Sequence, residues 1–206
     1  VVRVWDPTDE GPQPRGKQVK NPNSIWYTPV TGIWQTVWLE TVNIGHIENI
    51  NPVAGIDNNM ISIETGVKDA KEGDQLKISI SEGGNNIAEE IINAGAIAEV
   101  KLKDAKRWSP ANPFLYDLKI QLVRNGQVLD EVGSYFAMRK ISLSPDKNGV
   151  QRLMLNNEFL FQFGMLDQGW WPDGLYTAAT DEALQYDIVK AKEMGFNMLR
   201  KHVKVE

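Results

Sequence analysis

The chain has no cysteine among its 206 residues. That excludes disulfides and thiolate metal sites, and it leaves the compartment unreadable from redox chemistry. No apolar run approaches the roughly 20 residues that a membrane span needs. Lys and Arg total 22 against 27 Asp and Glu, a formal charge of −5, and the basic residues form no cluster. Mild acidity of this kind argues against a nucleic-acid or membrane-surface partner. Internal repeats and low-complexity tracts are missing too. No signal-peptide pattern opens the chain: Val1-Val2-Arg3-Val4-Trp5-Asp6 reads as a strand.

What is present changes character twice. Residues 1–41 are rich in Trp, Pro and Gly. Val1 to Trp5 reads as a strand, Asp6 to Gly16 as a long irregular loop, and Gly32 to Glu40 as a strand with large apolar groups on both faces. Two strands cannot make a domain, so this segment is expected to be the end of a larger β-sandwich.

Residues 42–143 hold β-patterned runs at hairpin spacing: Val42 to Ile50, Met60 to Val67, Gln75 to Ser81, Asn86 to Ile92, Ala96 to Leu102, Tyr116 to Arg124 and Gln127 to Ala137. Turn chemistry separates them, with Asn125-Gly126 as the strongest short hairpin signal. Runs in this number and spacing predict an immunoglobulin-like sandwich, read as architecture alone because the Cys-Trp-Cys arrangement is missing.

Residues 144–206 switch period. Asn156-Asn157 marks a turn between Gln151–Leu155 and Phe159–Leu166, and a polar, aromatic loop, Asp167 to Gly174, follows. Thr180 or Asp181 is placed to cap a helix running to Met194, with Leu184, Ile188 and Ala191 on one face and Gly195 as its stop. A strand, Asn197–Leu199, closes a β-α-β unit, the repeat of a parallel barrel or open sheet. Arg200, His202 and Glu206 come at its far end. In α/β barrels the carboxyl ends of strands carry the chemistry, and the unit is expected to continue past Glu206.

Four stretches, in this order, carry a resemblance to a known family: Pro14-Arg15-Gly16-Lys17-Gln18, Thr31-Gly32-Ile33-Trp34-Gln35-Thr36-Val37-Trp38-Leu39-Glu40, Trp108-Ser109-Pro110-Ala111-Asn112-Pro113-Phe114-Leu115-Tyr116 and Gly195-Phe196-Asn197-Met198-Leu199-Arg200-Lys201-His202. With them the chain resembles glycoside hydrolase family 2, which includes β-galactosidases, β-glucuronidases and β-mannosidases. The resemblance implies a mainly β chain in three parts. Residues 1–41 would be the C-terminal remnant of a jelly-roll sugar-binding domain and 42–143 the immunoglobulin-like β-sandwich. Residues 144–206 would then start a catalytic (β/α)8 barrel of the TIM type.

The family's mechanism uses two carboxylates about 5 Å apart in retaining enzymes, one a general acid/base and the other a nucleophile. Both are expected beyond Glu206, so the 206-residue chain is not expected to hydrolyse anything by itself. Asn157-Glu158 imitates the family's Asn-Glu pair, but it falls in the turn entering the first barrel strand, at the stability end.

His202 stands roughly where the family has an Arg-x-x-His-Tyr-Pro histidine that contacts the sugar. Here one residue, Lys201, separates it from Arg200, and Val203-Lys204 replaces Tyr-Pro. Its reading is substrate binding, against a packed histidine satisfied by neighbours. Arg200 reads as a pocket residue or one member of a structural ion pair. Asp167, Trp170 and Trp171 lie past the first strand's carboxyl end. The indoles suit stacking on a sugar ring, whose axial C–H groups are apolar, or packing against the second domain. Asp173 reads as part of the Pro172-Asp173-Gly174 turn. Trp34, Trp38 and Trp108 are expected in the core or at a domain interface.

His46 and Glu48 sit two apart in an apparent strand, too few ligands for a metal, and no oxygen cage is recognisable. No catalytic residue, cofactor or metal is therefore assigned within the chain. The expected partner is a carbohydrate substrate of the parent enzyme, with no nucleic acid and no membrane. A homo-oligomer is compatible with the sequence, and the family is compatible with a periplasmic, secreted or cytoplasmic setting. The alternative is a noncatalytic carbohydrate-binding or structural β-sandwich module, which would have no reason for a β-α-β tail carrying Arg200 and His202.

Overall fold

The computed structural model describes residues 1–203; Lys204, Val205 and Glu206 of the closing motif lie outside the described residues. Contacts divide the chain into two units, Glu40–Phe161 and Val1–Leu39 with the segment from Gln162 onward.

The first unit is built on alternation. In β6 (Tyr116–Arg124), Tyr116, Leu118, Ile120 and Leu122 are buried while Asp117 and Lys119 are exposed, as a strand packed on one face requires. The same pattern runs through β2 (Met60–Lys68) and β3 (Gln75–Glu82), whose Ile61, Ile63, Leu76, Ile78 and Ile80 are completely buried. With β1 (His46–Gly55), β4 (Asn85–Asn93), β5 (Ala98–Lys101) and β7 (Gln127–Phe136) they form two antiparallel sheets, β1-β2-β5 and β4-β3-β6-β7. One apolar core draws on strands of both sheets. The chain is mainly β, and this unit is the expected β-sandwich.

Polar ties fix the connections. Asn125 and Gly126 both take positive φ, 51° and 77°, joining β6 to β7; Asn-Gly serves such a turn because both residue types tolerate that region. Arg124, at the end of β6, donates Nε to Asp74 Oδ1 at 2.7 Å and Nη2 to Oδ2 at 2.8 Å. The Arg124 guanidinium, then the Lys71 backbone N–H, hold the Asp74 carboxyl down at about 2. Asp74 itself is buried. The fork therefore satisfies a charge that would otherwise be costly to bury.

The strand runs of the sandwich overlap the expected ones, with shifted ends and one addition. The first strand begins at His46 rather than Val42. β8 (Ile141–Pro145) was not anticipated; it pairs with β9 (Gln151–Leu155), which in turn pairs with the short β10 (Glu158–Phe159). This small sheet belongs to the same unit as the sandwich. Its turn is pinned there. Asn156 Nδ2 donates to Trp108 O at 2.9 Å and its Oδ1 accepts from Lys140 N at 3.0 Å. Asn157 Nδ2 donates to Asp57 Oδ1 at 2.7 Å, and Lys140 Nζ to Oδ2 at 2.6 Å.

The second unit contains the β-α-β element. β11 (Gly164–Asp167) and β12 (Met198–Lys201) pair in parallel, with α1 (Asp181–Glu193) between them in sequence. Thr180 caps α1, its Oγ1 accepting from Ala183 N at 3.2 Å. Asp181 and Glu182 sit in the first turn and Lys190 and Lys192 in the last, which complements the helix dipole. Phe159–Leu166, read as one strand, is broken into β10 and β11.

Val1–Trp5 and Gly32–Glu40 do not form strands. A strand exists only through its ladder, and among the described residues neither segment has a partner strand. Residues 18 and 27 make a lone parallel bridge instead.

Candidate functional site

Parallel pairing sets which side chains share a face at the β11–β12 strand ends. Asp167 lies opposite Lys201, and Leu166 opposite Arg200. Side chains alternate along a strand, so Asp167 and Lys201 occupy one face and Arg200 the other. The Asp167–Lys201 neighbours form an ion pair, Nζ to Oδ2 at 2.9 Å. Lys201 lines one cavity with Asp181 and Leu184 of α1, so theirs is the helix-facing side. His202 follows β12, donates its backbone N–H to Asp167 O at 2.8 Å, and has a half-buried side chain. Among the predicted site residues, then, the structure brings together the backbones of Asp167 and His202, and it sets the Arg200 side chain on the opposite face from Asp167.

The N-terminal segment closes on these strand ends. Gly16, at φ 55°, passes so close to Val203 O that a Cβ there would stand 1.8 Å away, a backbone approach only glycine allows. The first of the four sequence motifs thus meets the residue that directly follows the last. Tyr27 donates its hydroxyl to Gln168 Oε1 at 2.8 Å and stacks on Trp170 with centroids 4.3 Å apart. Trp170 meets Tyr176 edge-on at 5.8 Å, and Tyr176 meets Trp34 edge-on at 4.6 Å. Four rings therefore run in series from the N-terminal segment through the loop after β11. Such pairs each add about 0.5–1.5 kcal/mol beyond their buried area.

Trp171 sits next to this ladder in sequence. Its backbone N–H donates to Leu175 O at 2.8 Å, closing the tight loop 171–175, while its buried Nε1 has no acceptor among the described residues. Within the loop, Asp173 Oδ1 accepts from Gly174 N at 3.0 Å, in keeping with the turn expected there. Glu182, held by its own backbone N–H and by the Thr180 hydroxyl, has its carboxyl below the ordinary range.

Other expected placements resolve as follows. Trp34 and Trp108 are half-buried. Trp38 is 72% exposed, against the expectation of a core or interface ring. His46 Nδ1 lies 2.8 Å from Asn43 O, so Nδ1 carries the proton and donates. Glu48 falls in a β-bulge between Ile47 and Asn49, so the simple alternation that put it on the face of His46 is interrupted. No group of three or more metal-ligating side chains occurs among the described residues. The tie between Asn157 and Asp57 went unforeseen, because its partners are 100 positions apart; no local signal announces it.

Comparison with known proteins fits this architecture. The chain is 25% identical over 189 residues to a Formosa agariphila protein provisionally named beta-glucuronidase, covering 87% of this chain and 18% of that one. It is 24% identical over 125 residues to a Thermoanaerobacter pseudethanolicus beta-galactosidase, covering 56% and 17%. A crystal structure of a beta-glycosidase from Bacteroides vulgatus superposes with a TM-score of 0.73 at 24% identity, over 85% of this chain and 23% of that one. The chain thus spans about a sixth of the length of the curated relatives it matches. The family model described as glycosyl hydrolases family 2 matches residues 47–139, most of the sandwich.

Proposed function

We propose that this chain works within a β-glycosidase that hydrolyses β-linked sugars with retention, through a general acid/base and a nucleophile carried downstream of residue 206. The relatives' names support the reaction class. The observation that carries the reading is the parallel β11–α1–β12 element, with Asp167, Arg200 and His202 gathered at the carboxyl ends of its strands. That is the end where α/β barrels bind and transform substrates. On this reading the sandwich is a mechanical element, and 144–206 opens the barrel. His202 and Arg200 reach toward the sugar at the cleavage point, and Asp167, Trp170 and Trp171 shape the pocket rim. Trp170 then acts through its stack on Tyr27, as a positioning ring for the loop.

The chain by itself lacks both carboxylates of this mechanism and does not hydrolyse glycosides. The test is a chromogenic β-glycoside panel on the natural longer product beside the 206-residue chain. Activity confined to the longer protein is expected, and the best substrate names the sugar. Turnover by the short chain, or by neither, would sink the proposal.

A further inference from the structure

A second feature of the β-α-β unit lies away from the Arg200 face. A cavity of about 600 Å³ opens on the helix-facing side of β12. Its walls include Trp34, Trp38 and Tyr176, with Thr177, Asp181 and Lys201 between and beside them. The volume falls within the ~300–1,000 Å³ of small-molecule sites.

Three observations argue for a ligand rather than for loose packing. First, the aromatic wall is braced: Tyr176 is buried, it meets Trp34 edge-on at 4.6 Å, and Thr177 Oγ1 donates to Trp34 O at 3.5 Å. Second, Lys201 is held in place by Asp167 at 2.9 Å; an ammonium has three donors, of which this pair uses one. Third, the Trp38 indole is 72% exposed at the cavity's edge, so its ring is open to a ligand.

The mixture selects the ligand class. A purely apolar molecule would strip water from Asp181 and Lys201 without replacing their hydrogen bonds, which disfavours it. A pyranose offers both kinds of contact at once, a C–H face for indole and phenol rings and hydroxyls for a carboxylate and an ammonium. We propose that this cavity is an accessory carbohydrate subsite that binds one pyranose ring of a β-linked oligosaccharide, on the opposite side of β12 from Arg200. The sugar class rests on the β-glycosidase reading; the position and chemistry of the subsite do not.

The test is a titration of the 206-residue chain with a panel of β-linked di- and trisaccharides, followed by intrinsic tryptophan fluorescence. At least one member gives a saturable change. Trp38→Ala lowers that affinity by about tenfold, as loss of one aromatic contact implies. Trp108→Phe, in the other unit, leaves it unchanged. Because Trp38 is exposed, its replacement is expected to keep the circular dichroism of the parent chain. If that spectrum changes, Lys201→Gln supplies the same test with the aromatic wall intact. No saturable response to any sugar, or undiminished binding by the folded variants, overturns the subsite. Binding that survives while the longer protein hydrolyses no β-glycoside would sink the enzymatic reading and leave the subsite standing; hydrolysis by the longer protein without binding here would do the reverse.

Discussion

Ile120 is the most informative residue to perturb in the sandwich. It is completely buried in the middle of β6, opposite Ile78 of β3 and Val132 of β7. Ile120→Ala removes three carbons, worth about 2.4 kcal/mol at about 0.8 kcal/mol per buried CH₂. A cavity flanked by strands on both sides cannot collapse fully, which brings the expected loss to about 3–4 kcal/mol. With a urea slope of about 1.5 kcal/mol per molar, the unfolding midpoint falls by about 2–2.5 M. The control is its neighbour: exposed Lys119, on the other face of the same strand, costs within about 0.5 kcal/mol when replaced by Ala. The assay must be circular dichroism in the β-sheet region, because six of the seven tryptophans lie outside this unit and would report on the other one. Comparable losses for the two variants, or less than about 1 kcal/mol for Ile120→Ala, would refute the assignment of faces on which the core rests.

Four further outcomes follow from the geometry. The Asp74 carboxyl is held at about 2 against an ordinary 3.8, a depressed value, so its contribution is present above about pH 4 and is lost as pH falls toward 2. Urea midpoints measured across that window should drop more steeply for the parent than for Asp74→Asn, and parallel slopes would exclude the Arg124 tie as their source. Asp57→Ala removes the acceptor shared by Asn157 and Lys140, so amide exchange in β9 and β10 should quicken while β3 and β6 stay protected. Gly164→Ala would bring a Cβ within 2.1 Å of Met198 O; it should separate β11 from β12 and deprotect the His202 amide, which donates across that seam. A double-mutant cycle on Asp167 and Lys201 should show coupling of about 0.2–1 kcal/mol, typical of a partly exposed pair. The same cycle on Asp167 and Arg200, which occupy opposite faces, should be additive to within about 0.5 kcal/mol.

The sandwich was legible because its information is local. Alternation in Tyr116–Arg124 and the Asn125-Gly126 turn fix a strand, a hairpin and a buried face without reference to anything distant. The capped helix was legible for the same reason, Thr180 and Gly195 marking its ends. What escaped was pairing. β8 alternates Ile141 and Leu143 with Ser142 and Ser144, a signal present in the sequence but too short to stand out; β9 makes it a strand. Gly32–Glu40 has the composition of a strand, yet composition supplies no hydrogen-bond partner, and without one among the described residues it remains irregular. Trp38 shows the cost of treating aromatic residues as core by default: its large ring is exposed.

The candidate residues could be placed from sequence at strand ends, but not on a face. Reading Asp167, Arg200 and His202 together required only that all three fall where β11 and β12 terminate. Which of them share a surface depends on register, and in a sheet a shift of one residue reverses every side chain. The pairing of Asp167 with Lys201 settles that parity and leaves Arg200 facing away. A strand end with polar groups on both faces can serve two tasks at once. On the proposed reading one face meets the reacting sugar, while the other, with Asp167 holding Lys201 in place, lines the cavity with Asp181 of α1 and the braced aromatic wall of Trp34 and Tyr176. The single position between Arg200 and His202 is occupied by this Lys201. Its register opposite Asp167 places a cation on the helix-facing side, where the cavity lies.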